Sequence, residues 1–146
     1  MRVYLPTTLD RLRPNADLAL THAHAVTAEL RAALPGTDDE GLEYAAQSAA
    51  ADDCLTLLAT SRDAPRLRVV VAADVEAAAP VPGSPTVVVV RTPVSFDQVA
   101  CVLVDEPEAA RDVAAAAAGD PQGLERLEER DLLWYDVSEI GFIPGA

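Results

Sequence analysis

The sequence predicts a single α+β domain over residues 1–146, built as a mixed β-sheet of about four to six strands with helices packed on it. Three observations carry this expectation. Short apolar, β-branched runs of strand length occur at Val69 to Ala73 and Val87 to Val90. Helix-capping patterns stand at Thr37 with Glu40 and at Ser95 with Gln98. A chain of 146 residues is long enough for one hydrophobic core and short for two.

Arg2 to Leu5 alternates weakly and reads as a first strand that Pro6 ends. Thr8 caps a short helix over Leu9 to Leu12, and Pro14 with Asn15 breaks it. Ala23 to Thr27 reads as a short strand, and Thr27 then caps a helix through Leu30 and Ala33 that Pro35 and Gly36 stop.

The clearest helix starts at Thr37, has Asp38 and Asp39 in its first turn, and runs to about Thr60. Tyr44, Ala51, Leu55 and Leu58 recur at helical spacing. They predict a buried stripe beside Cys54, with Asp53 on the opposite side.

Arg66 to Asp74 reads as a strand, Pro80 to Pro85 as an irregular loop, and Val87 to Val90 as a second strand next to the first. Four successive valines without polar alternation suit a strand covered on both faces or one in the middle of the sheet, with helix layers outside. Cys101 to Asp105 is a further strand, and Pro107 opens a helix that Gly119 closes. Asp120 and Pro121 start another, and the chain ends through Leu132 to Tyr135. Thr8 to Leu12 mirrors Ser95 to Val99, so the two halves form a candidate strand-helix-strand-helix duplication.

Twenty-four acidic residues against 11 basic ones, all of them arginine, give a net charge of −13. Such a surface repels phosphate backbones, which argues against nucleic acid as a partner. No apolar run approaches the roughly 20 residues of a membrane span. The N-terminus meets Pro6 and Asp10 before any signal-like apolar core, so a cytoplasmic protein without membrane contact is expected. The absence of lysine fits a GC-rich genome. Cys54 and Cys101 lie outside any CxxC spacing and read as buried thiols.

Among candidate sites, His22 and His24 are the only histidines, and on a strand their spacing of two points both at one face, where a metal could be chelated. A third ligand is required, with Asp17 and Glu29 nearest to hand, and no zinc motif selects either. An ordinary surface or half-buried histidine pair is the expected reading, so neither metal nor cofactor is assigned. The acidic clusters at Asp38 to Glu43 and at Glu125, Glu128 and Glu129 are accounted for by helix dipole and solvated helix face.

Arg62, Arg66 and Arg68 form the one concentration of positive charge and could dock an anion, though charge on an edge strand explains them more simply. Trp134 and Tyr135 read first as an anchor of the C-terminus on the sheet and otherwise as a partner surface. Glycine-rich phosphate loops, serine-nucleophile elbows and other catalytic motifs are missing, so no catalytic residue is named.

The stretches MRVYLPTTL, GLEYAAQSAA, RLRVVVAADV and LLWYDVSEI together resemble an uncharacterised family of actinobacterial proteins of similar length. The resemblance implies a small stand-alone cytosolic protein and supplies no activity. Sequence alone therefore favours a non-catalytic binding or regulatory protein acting through protein contacts, with a homodimer as one form. The alternative is a small enzyme or small-molecule-binding domain whose site is assembled from residues distant in sequence.

Overall fold

Alternation along the first strand sets up two apolar layers: Val3 and Leu5 are buried on one side and Tyr4 on the other. The computed structural model describes residues 1–145. Its strands are β1 (Arg2–Thr7), β2 (His22–His24), β3 (Val69–Asp74), β4 (Ala79–Pro80), β5 (Val87–Val89), β6 (Val99–Val104) and β7 (Leu133–Tyr135). They form one sheet in the order β4-β5-β2-β1-β3-β6-β7, and every neighbouring pair is antiparallel.

The helices are α1 (Ala28–Ala33), α2 (Asp39–Thr60), α3 (Ala110–Ala117) and α4 (Pro121–Glu128). Short 3-10 turns occupy Leu9–Arg11, Phe96–Gln98, Pro107–Ala109 and Val137–Phe142. The α+β class thus holds, while the sheet has seven strands and is antiparallel throughout rather than mixed. The additional strands are the two rims: β4 has two residues and β7 has three, too short to leave a periodic signal.

The expected neighbours Arg66 to Asp74 and Val87 to Val90 are separated by β2 and β1. The reason is length. β1 and β3 match residue for residue over six pairs from Arg2↔Asp74 to Thr7↔Val69, whereas β5 offers three positions and pairs with the equally short β2. The valine run consequently lies one strand from the rim, with Val88 buried and Val89 exposed, and not in the middle of the sheet. The halves also pair differently: β1 lies beside β2, but their counterparts β5 and β6 are not neighbours, so the repeated element order does not extend to the sheet.

One face of the sheet packs Val3, Leu5, Val69, Val71, Val102 and Val104 against Leu9, Leu18, Ile140 and Ile143 from the turns. On the other face Tyr4, Val70, Ala72 and Leu103 meet Ala46, Ala50 and Cys54 of α2. The alanines at these positions let α2 lie close to the strands. Asp38 rather than Thr37 caps this helix, accepting a bond from the Gly41 backbone N–H at 2.9 Å. Thr27 caps α1 and Asp120 caps α4 in the same way.

The buried stripe of α2 is Leu42, Ala46, Ala50, Cys54 and Leu58, and Tyr44 is exposed. It lies about a quarter-turn from the stripe that Tyr44, Ala51, Leu55 and Leu58 predict. At 100° per residue this rotation carries Asp53 from the solvent side to the margin of the buried stripe, alongside Ala46 and Ala50.

Candidate functional site

Strand β2 alternates as its residues require. Ala23 enters the core beneath the sheet, while His22 and His24 project from the face that α2 covers. His24 is buried and His22 is exposed. Asp53 reaches down from the margin of α2 to both.

The His24 Nε2 lies 2.5 Å from Asp53 Oδ2, and the His22 Nε2 lies 3.7 Å from the same oxygen. The second nitrogen of His24, Nδ1, is 2.8 Å from the Thr86 hydroxyl. His22 and His24 are edge-on, with centroids 5.9 Å apart. The donor atoms of His22, His24 and Asp53 all lie within 4.8 Å of one another, which makes this the one three-residue group of metal-ligating side chains among the described residues.

An ionised carboxylate only accepts hydrogen bonds, so with Asp53 ionised the proton of a neutral His24 sits on Nε2. The Thr86 hydroxyl then donates to Nδ1. Because a hydroxyl both donates and accepts, the same threonine also serves the other tautomer, with the proton on Nδ1 and Nε2 free for a metal.

Donors bound at about 2.0–2.2 Å to a zinc-like ion stand roughly 3.3–3.6 Å apart in a tetrahedron. The 2.5 Å and 3.7 Å separations bracket this and the donor nitrogens of the two imidazoles lie within 4.8 Å, so displacing the shared proton and shifting the donors by about 1 Å would bring all three onto one ion. Two imidazoles and one carboxylate suit zinc and neighbouring transition metals. Three protein ligands leave a coordination position open.

Beside this group is a cleft of about 380 Å³ bordered by His22, Asp53, Pro6, Leu20, Thr56 and Leu57. His22 and Asp53 line it, whereas His24 and Thr86 stand behind them. The order hydroxyl, imidazole, carboxylate thus opens on the cleft at its carboxylate end. That direction is wrong for a hydroxyl nucleophile, whose oxygen must face the substrate.

Asp53 is the residue that sequence reasoning misplaced. Neither nearby acid replaces it: Asp17 accepts a bond from the Phe96 backbone N–H at 3.0 Å, and Glu29 is exposed on α1. Nothing in the spacing of His22 and His24 marks an acid 29 residues from His24; the register of α2 supplies it.

The arginine group disperses. Arg62 is exposed. Arg66 folds over the end of α2, donating to the carbonyls of Leu58 at 2.9 Å, Ala64 at 3.1 Å and also Ser61, where a cation suits the helix dipole. Arg68 turns inward and makes a two-pronged pair with Asp105 at 2.9 and 2.8 Å. Since β3 has β1 and β6 on either side, the edge-strand explanation of Arg66 and Arg68 is replaced by a helix cap and a buried ion pair.

Trp134 lies on the rim strand β7 opposite Leu103 and is 60% exposed, so it does not anchor the core. Tyr135 points to the other face and packs partly against the core. Both cysteines are unpaired and buried. Burial pushes the Cys54 thiol up to about 12, partly opposed by its bond to the Val69 carbonyl. Burial and the 2.5 Å bond to Glu43 likewise push the Tyr4 phenol well up, leaving it protonated.

No helix of the described residues is long and apolar enough to cross a membrane. No curated protein and no solved structure matches the chain. A family model does match, over residues 1–143, and the chain therefore belongs to the Family of unknown function (DUF6912).

Proposed function

We propose that this chain is a metal-dependent small-molecule-binding domain, in which His22, His24 and Asp53 take one divalent ion of the zinc class and present its open position to the adjoining cleft. The observation that carries this reading is convergence: two imidazoles and a carboxylate from separate layers meet within 4.8 Å at the wall of a cleft. A hydrogen-bonded strut between β2 and α2 would need only His24 and Asp53. The additional exposed imidazole of His22, aimed at the same oxygen, is what a metal site requires and a strut does not. A metal held there by His22, His24 and Asp53 would supply Lewis-acid chemistry, polarising a ligand oxygen or activating a water, and would make the domain an enzyme.

Equilibrium dialysis against micromolar zinc tests the reading. The expected result is one equivalent retained by the wild type, and none by the His22→Ala, Asp53→Ala double variant. Equal retention by both, or none by either, rejects it.

A second reading rests on Leu133 and Trp134, which are both exposed on the β7 rim strand. An antiparallel rim strand is self-complementary about a two-fold axis, so a second copy of this chain is the occupant that suits it. Sedimentation of wild type and Trp134→Arg decides this: a dimer abolished by the substitution supports it, and a monomer at all concentrations excludes it. We also propose that the protein acts in the cytosol of a GC-rich actinobacterium, a reading supported by its buried unpaired thiols and its lack of lysine.

A further inference from the structure

Asp52 and Asp53 are consecutive on α2 and therefore point about 100° apart. Asp53 faces the histidines, whereas Asp52 lines a separate cavity of about 170 Å³ between α2, α4 and the segment leading to β7. That volume falls below the roughly 300 Å³ at which drug-sized pockets begin, which limits an occupant to small-metabolite size.

The cavity has an unusual wall. Arg68, with its side chain only 7% exposed, contributes to it while fixed by Asp105 through Nε and Nη2. Its Nη1 makes no hydrogen bond among the described residues. Among the described residues the fully buried side-chain atoms that lack a partner are the hydroxyls of Thr7 and Thr8, so Nη1 keeps some accessible surface and is not sealed inside the protein. Arg130, another wall residue, bonds Asp112 through Nε and Glu106 through Nη1, while its Nη2 makes no hydrogen bond among the described residues.

Both guanidiniums are charge-compensated by acids outside the cavity wall. Asp52, Glu128 and Asp131 in the wall form no ion pair among the described residues, with Arg68 near enough to act on Asp52 through its charge. The cavity wall therefore combines fixed N–H donors with surplus negative charge, and Leu124, Leu127 and Leu132 add apolar surface to it. A carboxylate suits the donors and an ammonium suits the acids.

We infer that this second cavity binds a small aliphatic α-amino acid, its carboxylate on the Nη edges of Arg68 and Arg130 and its ammonium among Asp52, Glu128 and Asp131. The rigid Arg68–Asp105 pair makes the carboxylate subsite pre-organised, since the guanidinium pays no ordering cost when the ligand arrives. This site is independent of the metal reading and uses none of its three ligands.

Titration calorimetry of metal-free protein with each of the common L-amino acids, followed for L-valine by isovalerate and isobutylamine, tests the inference. At least one aliphatic amino acid should bind at one equivalent, and removal of either charged group should weaken binding by about tenfold or more. Asp52→Asn should weaken it by a similar factor, and Ser48→Phe, which fills the cavity from α2, should abolish it, both with an unchanged melting temperature. Binding by none of the amino acids overturns the inference. So does equal binding of the amine or the carboxylate alone, or binding that survives Ser48→Phe in a folded protein.

Discussion

The imidazole of His24 and the carboxylate of Asp53 meet at 2.5 Å although the residues lie 29 apart in the chain and belong to different layers of the fold. With Thr86 on the opposite nitrogen, His24 is buried and bonded at both ends. Asp53→Ala removes one end and strands a buried ring nitrogen, which costs about 1–3 kcal/mol. Asp53→Asn retains an acceptor oxygen and should lose less. Urea unfolding of the three proteins checks the order; equal stability of Asp53→Ala and wild type would show that the contact is not formed.

The pair of Arg68 and Asp105 bridges the start of β3 and the end of β6, with Asp105 also accepting from the Arg68 backbone N–H at 2.8 Å. Taking away one charge leaves the other buried and uncompensated. Asp105→Ala should destabilise the domain by about 3–5 kcal/mol. A loss below about 1 kcal/mol, the size of a surface pair, would mean that the pair is solvated.

Gly123 sits where α4 crosses α3. A Cβ there would come within 2.9 Å of the Ala115 Cβ and the Ala116 backbone N, and within 3.1 Å of the Asp112 carbonyl oxygen. Alanine is the better helix former by about 1 kcal/mol, yet overpacking costs about 1–3 kcal/mol. The backbone contacts cannot yield as a flexible side chain would, so Gly123→Ala should lower the melting temperature. An increase would show that the two helices separate readily.

The thiol of Cys54 is pushed from its ordinary value of 9.0 up to about 12 by burial. The folded state therefore holds this proton more tightly than the unfolded chain. Its contribution to stability is complete below about pH 9 and is lost as pH rises from there towards about 12. Melting temperature should fall across that window, and Cys54→Ala should flatten the fall. An unchanged slope in the variant would assign the alkaline loss elsewhere, to Tyr4 or Cys101, which burial also raises.

Elements with local chemistry were legible in the sequence. The Ser95 and Gln98 capping box, the Thr27 and Asp120 caps and the Gly119 stop at positive φ all occur as expected, because each depends on residues a few positions apart. Strand order was not legible, since β1 pairs with β3 across more than sixty intervening residues and no local pattern records that choice. The candidate site was half legible: the alternation of β2 put His22 and His24 on one face, but Asp53 was hidden by the composition of α2. Its buried stripe rests largely on Ala46 and Ala50, which offer little apolar surface, while the exposed Tyr44 and the half-buried Leu55 offer more and point to the wrong side.

The most direct test of the metal reading is a titration of the purified, chelator-treated protein with cobalt(II), followed by visible absorbance and by heat in parallel. The account predicts saturation at one equivalent, with the absorption of a low-symmetry site bearing nitrogen and oxygen ligands, and loss of both signals in His22→Ala and in Asp53→Ala. Absence of absorbance and heat in the wild type, or signals that persist unchanged in both variants, would contradict it and leave His24 and Asp53 as a structural strut.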